Sequence, residues 1–218
     1  MTSHNAVLFD LDGTLLDTAP DLALALNQLL KAHDRPSLNL TAIRPEAGHG
    51  CKGLLKLGLQ LDEQHPDYPL RCDEFLHFYE RCCLENTRLF VGMDEVLTHL
   101  EKNDIPWGIV TNKPARFTTL LLDHLRLAER AACVISGDSL PNSKPHPEPI
   151  WHACRLLAKS PSECLYVGDA ETDVQASKAA GTFSLAALYG YIPLDEDPYG
   201  WQADGYIQRP GEIIRHLG

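Results

Sequence analysis

The five residues Asp10-Leu11-Asp12-Gly13-Thr14 directly follow the apolar run Ala6-Val7-Leu8-Phe9. Four consecutive apolar residues leave no polar face, so the run predicts a short strand buried on both sides. Strands of that kind belong to helix-covered parallel sheets, which place their ligands beyond the strands' carboxyl ends. The two aspartates emerge at that end. Two carboxylates one residue apart can divide a reaction between them: one attacks as nucleophile, and the other carries protons to the leaving group and from water. Gly13 permits a tight turn beside them, and Thr14 adds a hydroxyl donor. The same residues also fit an Asp-Gly turn with two solvated charges, so the rest of the chain has to decide.

Beyond Val91 the pattern alternates. Helical spacing over 94–102 precedes Trp107-Gly108-Ile109-Val110, and a helix with Pro114 in its first turn precedes Cys133-Val134-Ile135. A helix through Ile150, Cys154 and Leu157 precedes Cys164-Leu165-Tyr166-Val167, and a last one, stopped by Gly181, precedes 183–188. Such alternation predicts an α/β fold with a doubly wound parallel sheet. Residues 16–88 carry no strand pattern. Thr18-Ala19-Pro20-Asp21 fits a capping box ahead of Leu22, Leu26, Leu29 and Leu30 on one helical face, and Phe75, Phe78, Tyr79, Cys82 and Cys83 line another helix. Between them the stretch 38–70 is mixed, broken by Gly48, Gly50, Gly53 and Gly58 and punctuated by Pro66 and Pro69. The expected organisation is a core of residues 1–15 and 89–218 with a helical insert over 16–88. A chain of 218 residues is long enough for one such core and a smaller lobe.

Further polar signals follow the other predicted strands. Thr111-Asn112 comes directly after the second strand, where Asn112 can cap the helix entered through Pro114. Gly168-Asp169 follows Val167, with Asp173 four residues on, and Lys144 sits in the loop Ser143-Lys144-Pro145-His146-Pro147. Each is ordinary alone, as a helix entry, a turn or a surface charge. Together they would deliver carboxylates, a hydroxyl, amides and a cation to one sheet edge. Asp10, Asp12, Asp169 and Asp173 crowded there would repel unless a cation sat among them, and an all-oxygen set suits Mg²⁺. A calcium loop does not fit, because Asp10 to Thr14 follows a strand and lacks a twelfth-position Glu.

A net charge of −11 argues against a nucleic-acid footprint. It leaves room for a small phosphorylated metabolite held by a local cation or metal. No apolar run approaches the length of a membrane span. Met1-Thr2-Ser3-His4-Asn5 shows no basic or apolar leader pattern. Seven cysteines, odd in number and without a Cys-x-x-Cys pair, are expected as reduced thiols of a cytoplasmic protein, monomer or homodimer.

The set Asp10-x-Asp12-Gly13-Thr14, Thr111-Asn112, Lys144-Pro145 and Gly168-Asp169-x-x-x-Asp173 resembles the four ordered motifs of the haloacid dehalogenase superfamily. The resemblance spans essentially the whole chain and is nearest to the phosphatase branch, with a helical cap inserted after the first motif. It implies a Rossmann-like core, a Mg²⁺ cofactor, and Asp10 as the nucleophile that forms an aspartyl-phosphate. Asp12 would be the acid/base and lend its carbonyl to the metal; Thr14, Thr111 and Asn112 would bind the phosphoryl group. Lys144 would neutralise charge on Asp10 and phosphate, with Lys113 the competing cation. Asp169 would ligate the metal, and Asp173 would hold its waters or join it. Dehalogenases resembled here generally lack the second aspartate, and transport ATPases carry Thr there, so Asp12 points to a phosphatase. Leu15-Leu16-Asp17-Thr18-Ala19-Pro20-Asp21 and Thr111-Asn112-Lys113-Pro114 resemble phosphoglycolate phosphatases and N-acetylmuramic acid 6-phosphate phosphatases alike, while Tyr189-Gly190-Tyr191-Ile192-Pro193 leans to the latter. A sugar phosphomutase and a non-catalytic phospho-ligand sensor are the rival readings. Specificity is expected from the insert loop Glu46–Gly53, where His49 and Lys52 could meet a substrate carboxylate; a plain surface turn is the alternative.

Overall fold

The computed structural model describes residues 4–218, so the reading of Met1-Thr2-Ser3 as leaderless lies outside it. In chain order, β1 (Ala6–Phe9) and the short β2 (Leu16–Asp17) lead into α1 (Ala19–Ala32), α2 (Leu40–Ile43), α3 (Gly50–Leu59) and α4 (Tyr68–Cys82). β3 (Arg88–Leu89) opens the alternation α5 (Met93–Lys102), β4 (Trp107–Val110), α6 (Ala115–His124), β5 (Cys133–Ile135) and α7 (Glu148–Leu156). It continues through β6 (Cys164–Gly168), α8 (Glu171–Ala180), β7 (Phe183–Ala187) and β8 (Gly205–Ile207). Among the described residues no helix is long and apolar enough to cross a membrane.

Six strands form one parallel sheet in the order β5-β4-β1-β6-β7-β8. Its two faces sort the side chains of β1 by period two. Val7 and Phe9 pack with Val96, Leu97 and Leu121 of α5 and α6. Ala6 and Leu8 pack on the other face with Ile150, Ala153 and Ala176 of α7 and α8. All four β1 residues are fully buried, which is why that strand reads as an unbroken apolar run. The chain leaves β1 toward β4 and β5 but continues from β6 toward β7 and β8. The winding direction therefore reverses between β1 and β6, the place where such sheets open a crevice for ligands.

The insert has its own apolar cluster, in which Leu22, Leu26 and Leu29 of α1 meet Leu54, Leu55, Phe75 and Tyr79 of α3 and α4. Phe117 of α6 and Tyr191 join it from the sheet side. Where 16–88 was expected without strands, β2 and β3 pair antiparallel at its two ends, Leu16 opposite Leu89 and Asp17 opposite Arg88. Two residues per strand are too few to show a period. β8 also falls outside the sequence expectation, being three residues that include a glycine.

Three local expectations are corrected. The capping box at Thr18 does not form: Thr18 Oγ1 donates to Asp12 instead, and the buried Asp21 carboxylate accepts from Asn86 N, Asn86 Nδ2, Thr87 N and Thr87 Oγ1. Asp21 thus ties α1 to the segment returning the chain to the core. Pro69 begins α4 rather than closing the irregular stretch, as its missing N–H is harmless in a first turn. Cys51 and Cys72 are joined as a disulfide, against the expectation of seven free thiols, because α3 and α4 bring their Cα atoms to 5.9 Å. The other five cysteines are free and buried.

Candidate active site

Register decides what meets at the crevice. Phe9 is level with Ile109 on one side and with Val167 on the other. Asp10, one residue past β1, is therefore level with Val110 and Gly168, the last residues of β4 and β6, and Thr111 and Asp169 stand just above them. Gly13 makes the turn after Asp12 with φ +82°, and a Cβ there would overlap Asp169 Oδ2. A Cβ at Gly190 would overlap Asp169 from the other side. The two glycines leave that carboxylate a slot only a missing side chain can provide.

Lys144 reaches this level from the loop before α7 and is almost wholly buried. Its Nζ donates to Val110 O at 2.9 Å, Tyr166 Oη at 2.8 Å and Asp173 Oδ1 at 2.6 Å. It also stands 2.8 Å from Asp10 Oδ1 as an ion pair. The three N–H groups of the ammonium are already used, so Asp10 Oδ1 is buried without a hydrogen bond of its own. Burial pushes the Asp10 carboxyl up to about 6; Lys144 pulls it down and Asp173 pushes it further up. Burial alone would lower the Lys144 ammonium, but Asp10 and Asp173 outweigh it and hold it above its ordinary value.

Asp169 accepts from Thr14 Oγ1 at 2.8 Å and from Tyr191 N at 2.7 Å. Burial first, then Asp10 and Asp173, drives its carboxyl well above the usual range. Asp10, Asp169 and Asp173 each offer an oxygen within 4.8 Å of the others. A buried unbonded carboxylate oxygen among three carboxylates, two of them costly to charge, fits a hard divalent cation. Asp173 fits least directly, since Oδ1 faces Lys144 and Tyr166 and Oδ2 accepts from Ala170 N at 3.0 Å. It holds Lys144 and the start of α8.

Asp12 belongs to a second ion pair. Lys113 Nζ lies 3.0 and 3.1 Å from its two oxygens, and Thr18 Oγ1 donates to Oδ1 at 2.5 Å. Lys144 and Lys113, the two candidate partners for Asp10, divide the carboxylates between them: Lys144 pairs with Asp10, and Lys113 with Asp12. Thr111 Oγ1 accepts from Lys113 N at 3.2 Å, which leaves the hydroxyl proton to donate elsewhere.

Asn112 does not cap α6 as expected. Its side chain donates to Lys144 O at 2.9 Å and accepts from Lys144 N at 3.0 Å, fixing the lysine's loop to the end of β4. Asp138 Oδ1 accepts from Ala115 N at 2.8 Å and takes the capping place. The Asn112 side chain is thereby committed to the Lys144 loop.

Asp10, Asp12, Thr111, Lys113 and Asp169 face a cavity of about 600 Å³ that extends under the insert to His49 and Tyr79. His49 lies 3.6 Å from both Glu46 and Glu196. Lys52 borders the same cavity, yet its side chain is 65% exposed and paired with Glu63 at 2.6 Å. Sequence reading missed Tyr191, which gives its N–H to Asp169 while its hydroxyl donates to Asp17 Oδ1 and accepts from Ala19 N. Arg44 holds the same Asp17 with two bonds of 2.9 Å. Nothing in the spacing of these residues signals that they meet.

The chain is 39% identical over 208 residues to the N-acetylmuramic acid 6-phosphate phosphatase of Pseudomonas putida, covering 95% of this chain and 93% of that protein. It is 40% identical over 216 residues to a phosphoglycolate phosphatase of Xanthomonas campestris pv. campestris, covering 98% and 96%. The crystal structure of a predicted phosphoglycolate phosphatase from Haemophilus somnus 129PT superposes with a TM-score of 0.84 at 27% identity, covering 99% of this chain and 98% of that one. Residues 7–187 match the model of the haloacid dehalogenase-like hydrolases, with all four motifs inside that span. The chain belongs to the haloacid dehalogenase-like hydrolase family.

Proposed function

We propose that this hydrolase, an enzyme of phosphate monoesters, is a Mg²⁺-dependent phosphatase of a small phosphorylated metabolite that works through an aspartyl-phosphate on Asp10. The observation that carries the reading is that Asp10 and Asp12 line one cavity and each is paired with its own lysine. Asp10 attacks phosphorus and the ester P–O bond breaks, while Asp12, which must enter this step as the protonated carboxyl, gives the leaving oxygen its proton. Asp12 then takes a proton from water as that water attacks phosphorus, and phosphate leaves with the Asp10 carboxylate restored. Thr111 donates its hydroxyl to the phosphoryl oxygens, and Lys144 offsets charge on Asp10. Asp10, Asp169 and the Asp12 carbonyl would hold Mg²⁺, with Asp173 behind them. Bound there, the ion neutralises phosphoryl charge and helps align the group.

Residues 16–88 act in this reading as a cap over a core of 1–15 and 89–218, and the protein works in the cytoplasm. Its substrate is phosphoglycolate or N-acetylmuramic acid 6-phosphate, the compounds named for its relatives. A cavity of about 600 Å³ has room for either. His49 is the cap residue best placed for a carboxylate; Lys52 would first have to leave Glu63.

Hydrolysis of p-nitrophenyl phosphate is expected to vanish in EDTA and return with Mg²⁺, and Asp169→Asn is expected to abolish the return. Full turnover in chelator would overturn the metal assignment. Phosphoryl transfer to a sugar hydroxyl in place of water would redirect the reading to a phosphomutase. A panel of phosphorylated acids ranked by kcat/KM chooses the substrate.

Metal binding should also depend on pH with a definite sign. The Asp10 carboxyl is raised to about 6 in the folded protein without metal, so the folded state holds that proton more tightly than the unfolded one. The associated stability is present below about pH 4, the ordinary carboxylate range, and is lost as pH rises through about 6. Mg²⁺ replaces the proton, so its stabilisation should be larger at about pH 7.5 than at about pH 5. Thermal melts with and without Mg²⁺ at the two pH values measure this. Equal shifts would remove Asp10 from the ligand set.

A further inference from the structure

Cys51 and Cys72 differ from the other five cysteines in where they lie. Cys82, Cys83, Cys133, Cys154 and Cys164 are buried. Burial pushes the Cys82 thiol up to about 12 and the Cys133 thiol up to about 11. Cys154 and Cys164 also meet, with Sγ atoms 3.6 Å apart, but both are sealed in the core. Cys51 and Cys72 are half-buried, and both line the cavity that runs to Asp10 and Asp12. Cys51 is the second residue of α3, whose first turn has no side-chain cap. Free backbone N–H groups at the positive end of a helix favour a thiolate there. Cys72 lies on α4, with its Cα 5.9 Å away. The pair thus supplies an attacking sulfur, a resolving sulfur and a route of approach. In the reducing cytoplasm proposed above, disulfides that form and break are the usual kind, and permanent ones are rare.

The bond sits where it can change the cavity. Segment 46–53 leads into α3, contains Gly48 and Gly50 (the latter at φ +54°), and lends His49 and Lys52 to the cavity wall. α4 lends Phe75, Leu76 and Tyr79 to the same cavity. Oxidised, the segment and the helix are tied covalently. Reduced, α3 is held to α4 by apolar packing one turn on, through Leu54 and Leu55 with Phe75 and Tyr79.

We propose that Cys51 and Cys72 form a thiol–disulfide exchange site, and that its oxidation by a low-molecular-weight disulfide slows the enzyme by locking segment 46–53 to α4. The Cys51 thiolate attacks one sulfur of the small disulfide; that S–S bond breaks, and one thiolate leaves. Cys72 then loses its proton and attacks the Cys51 sulfur of the mixed disulfide, expelling the second small thiolate. The protein gives up two electrons and two protons, and the small disulfide becomes two thiols. Excess small thiol runs the same steps backwards. The locked segment no longer moves aside for substrate and product, so turnover falls while Asp10, Asp12 and Lys144 keep their places.

The test follows thiols and turnover of the full-length protein in parallel. Wild type, Cys72→Ser, the double variant Cys51→Ser/Cys72→Ser, and Cys154→Ala are equilibrated with glutathione from fully reduced to fully oxidised. Each is compared with its own reduced form. In folded wild type, two thiols should react with a chromogenic disulfide reagent after reduction and none after oxidation, while the five buried ones stay silent. Oxidation should lower kcat for p-nitrophenyl phosphate about 5-fold or more, the low end of ordinary coupling between two sites. Dithiothreitol should restore it, and trypsin should cut after Lys52 faster in the reduced form. Cys72→Ser should stop at the mixed disulfide with glutathione, read by mass; the double variant should lose the response and Cys154→Ala should keep it. A pair that stays joined in reduced glutathione, or a bond that forms and breaks with kcat unchanged, would be merely structural and would overturn the proposal. A response that survives in the double variant, or that Cys154→Ala abolishes, would place the reactive thiol elsewhere and overturn it equally. The thiol counts depend on neither Mg²⁺ nor Asp10, so failure of the proposed mechanism would show separately.

Discussion

Asp10→Asn should lose about 10⁴-fold or more in kcat while the protein stays folded. The amide keeps the shape of the carboxyl but cannot attack phosphorus, and it is a far poorer partner for a divalent cation. Stability should move little or even rise. The wild-type carboxyl is half-buried, with Oδ1 sealed from solvent, and is pushed up to about 6, so its charged form weighs on the fold at neutral pH. The neighbouring Lys144 keeps Asp173 as a partner when Asp10 is neutral. Turnover and chemical denaturation of the same preparation check both halves. Substantial residual turnover would exclude a covalent intermediate on Asp10, and a collapsed denaturation midpoint would leave the activity loss without mechanistic meaning.

Lys144→Met should behave oppositely in stability while sharing the loss of function. Removing the ammonium leaves Asp10 and Asp173 facing each other, takes a donor from Tyr166 Oη, and leaves Val110 O with Tyr166 Oη as its remaining side-chain donor. Breaking a buried pair from one side costs about 3–5 kcal/mol. Activity should fall about 10³-fold, the scale of losing one preorganised electrostatic contact in a dry site. Lys113→Met should cost less stability, because Asp12 is partly solvated and keeps Thr18. Adding Asp10→Asn to Lys144→Met should recover part of the lost stability by removing one of the two stranded charges, a coupling that a double-mutant cycle in denaturant reads directly. Equal, small stability effects at the two lysines would contradict the burial that separates them.

Much of this was legible in the residues. Ala6-Val7-Leu8-Phe9 announced a strand buried on both faces because both faces are in fact covered. Cys133–Ile135 and Trp107–Val110 were legible for the same reason, with turn residues marking their ends. Asp10, Asp12, Thr111 and Asp169 follow strands directly, so a parallel register was enough to bring them together. Lys144 could be named from its loop position, but its role needed the resemblance, since a lysine in a proline-rich loop has no local sign of burial.

What stayed hidden depends on side chains choosing partners far away in sequence. Asn112 reads as a helix cap, yet a loop 32 residues on offers it two backbone bonds, while Asp138 takes the cap. Asp21 reads as a capping acid and instead binds a segment 65 residues away. Cys51 and Cys72 acquire their bond only because two helices start side by side. The polar residues that follow the strands could be found from local pattern, because period-two burial and strand ends are local properties of the chain. Which lysine pairs with which aspartate is settled only by packing. Both carry the same charge and both follow a strand or loop at the same edge, and only the packed positions of β4, β6 and α4 give each ammonium its neighbours.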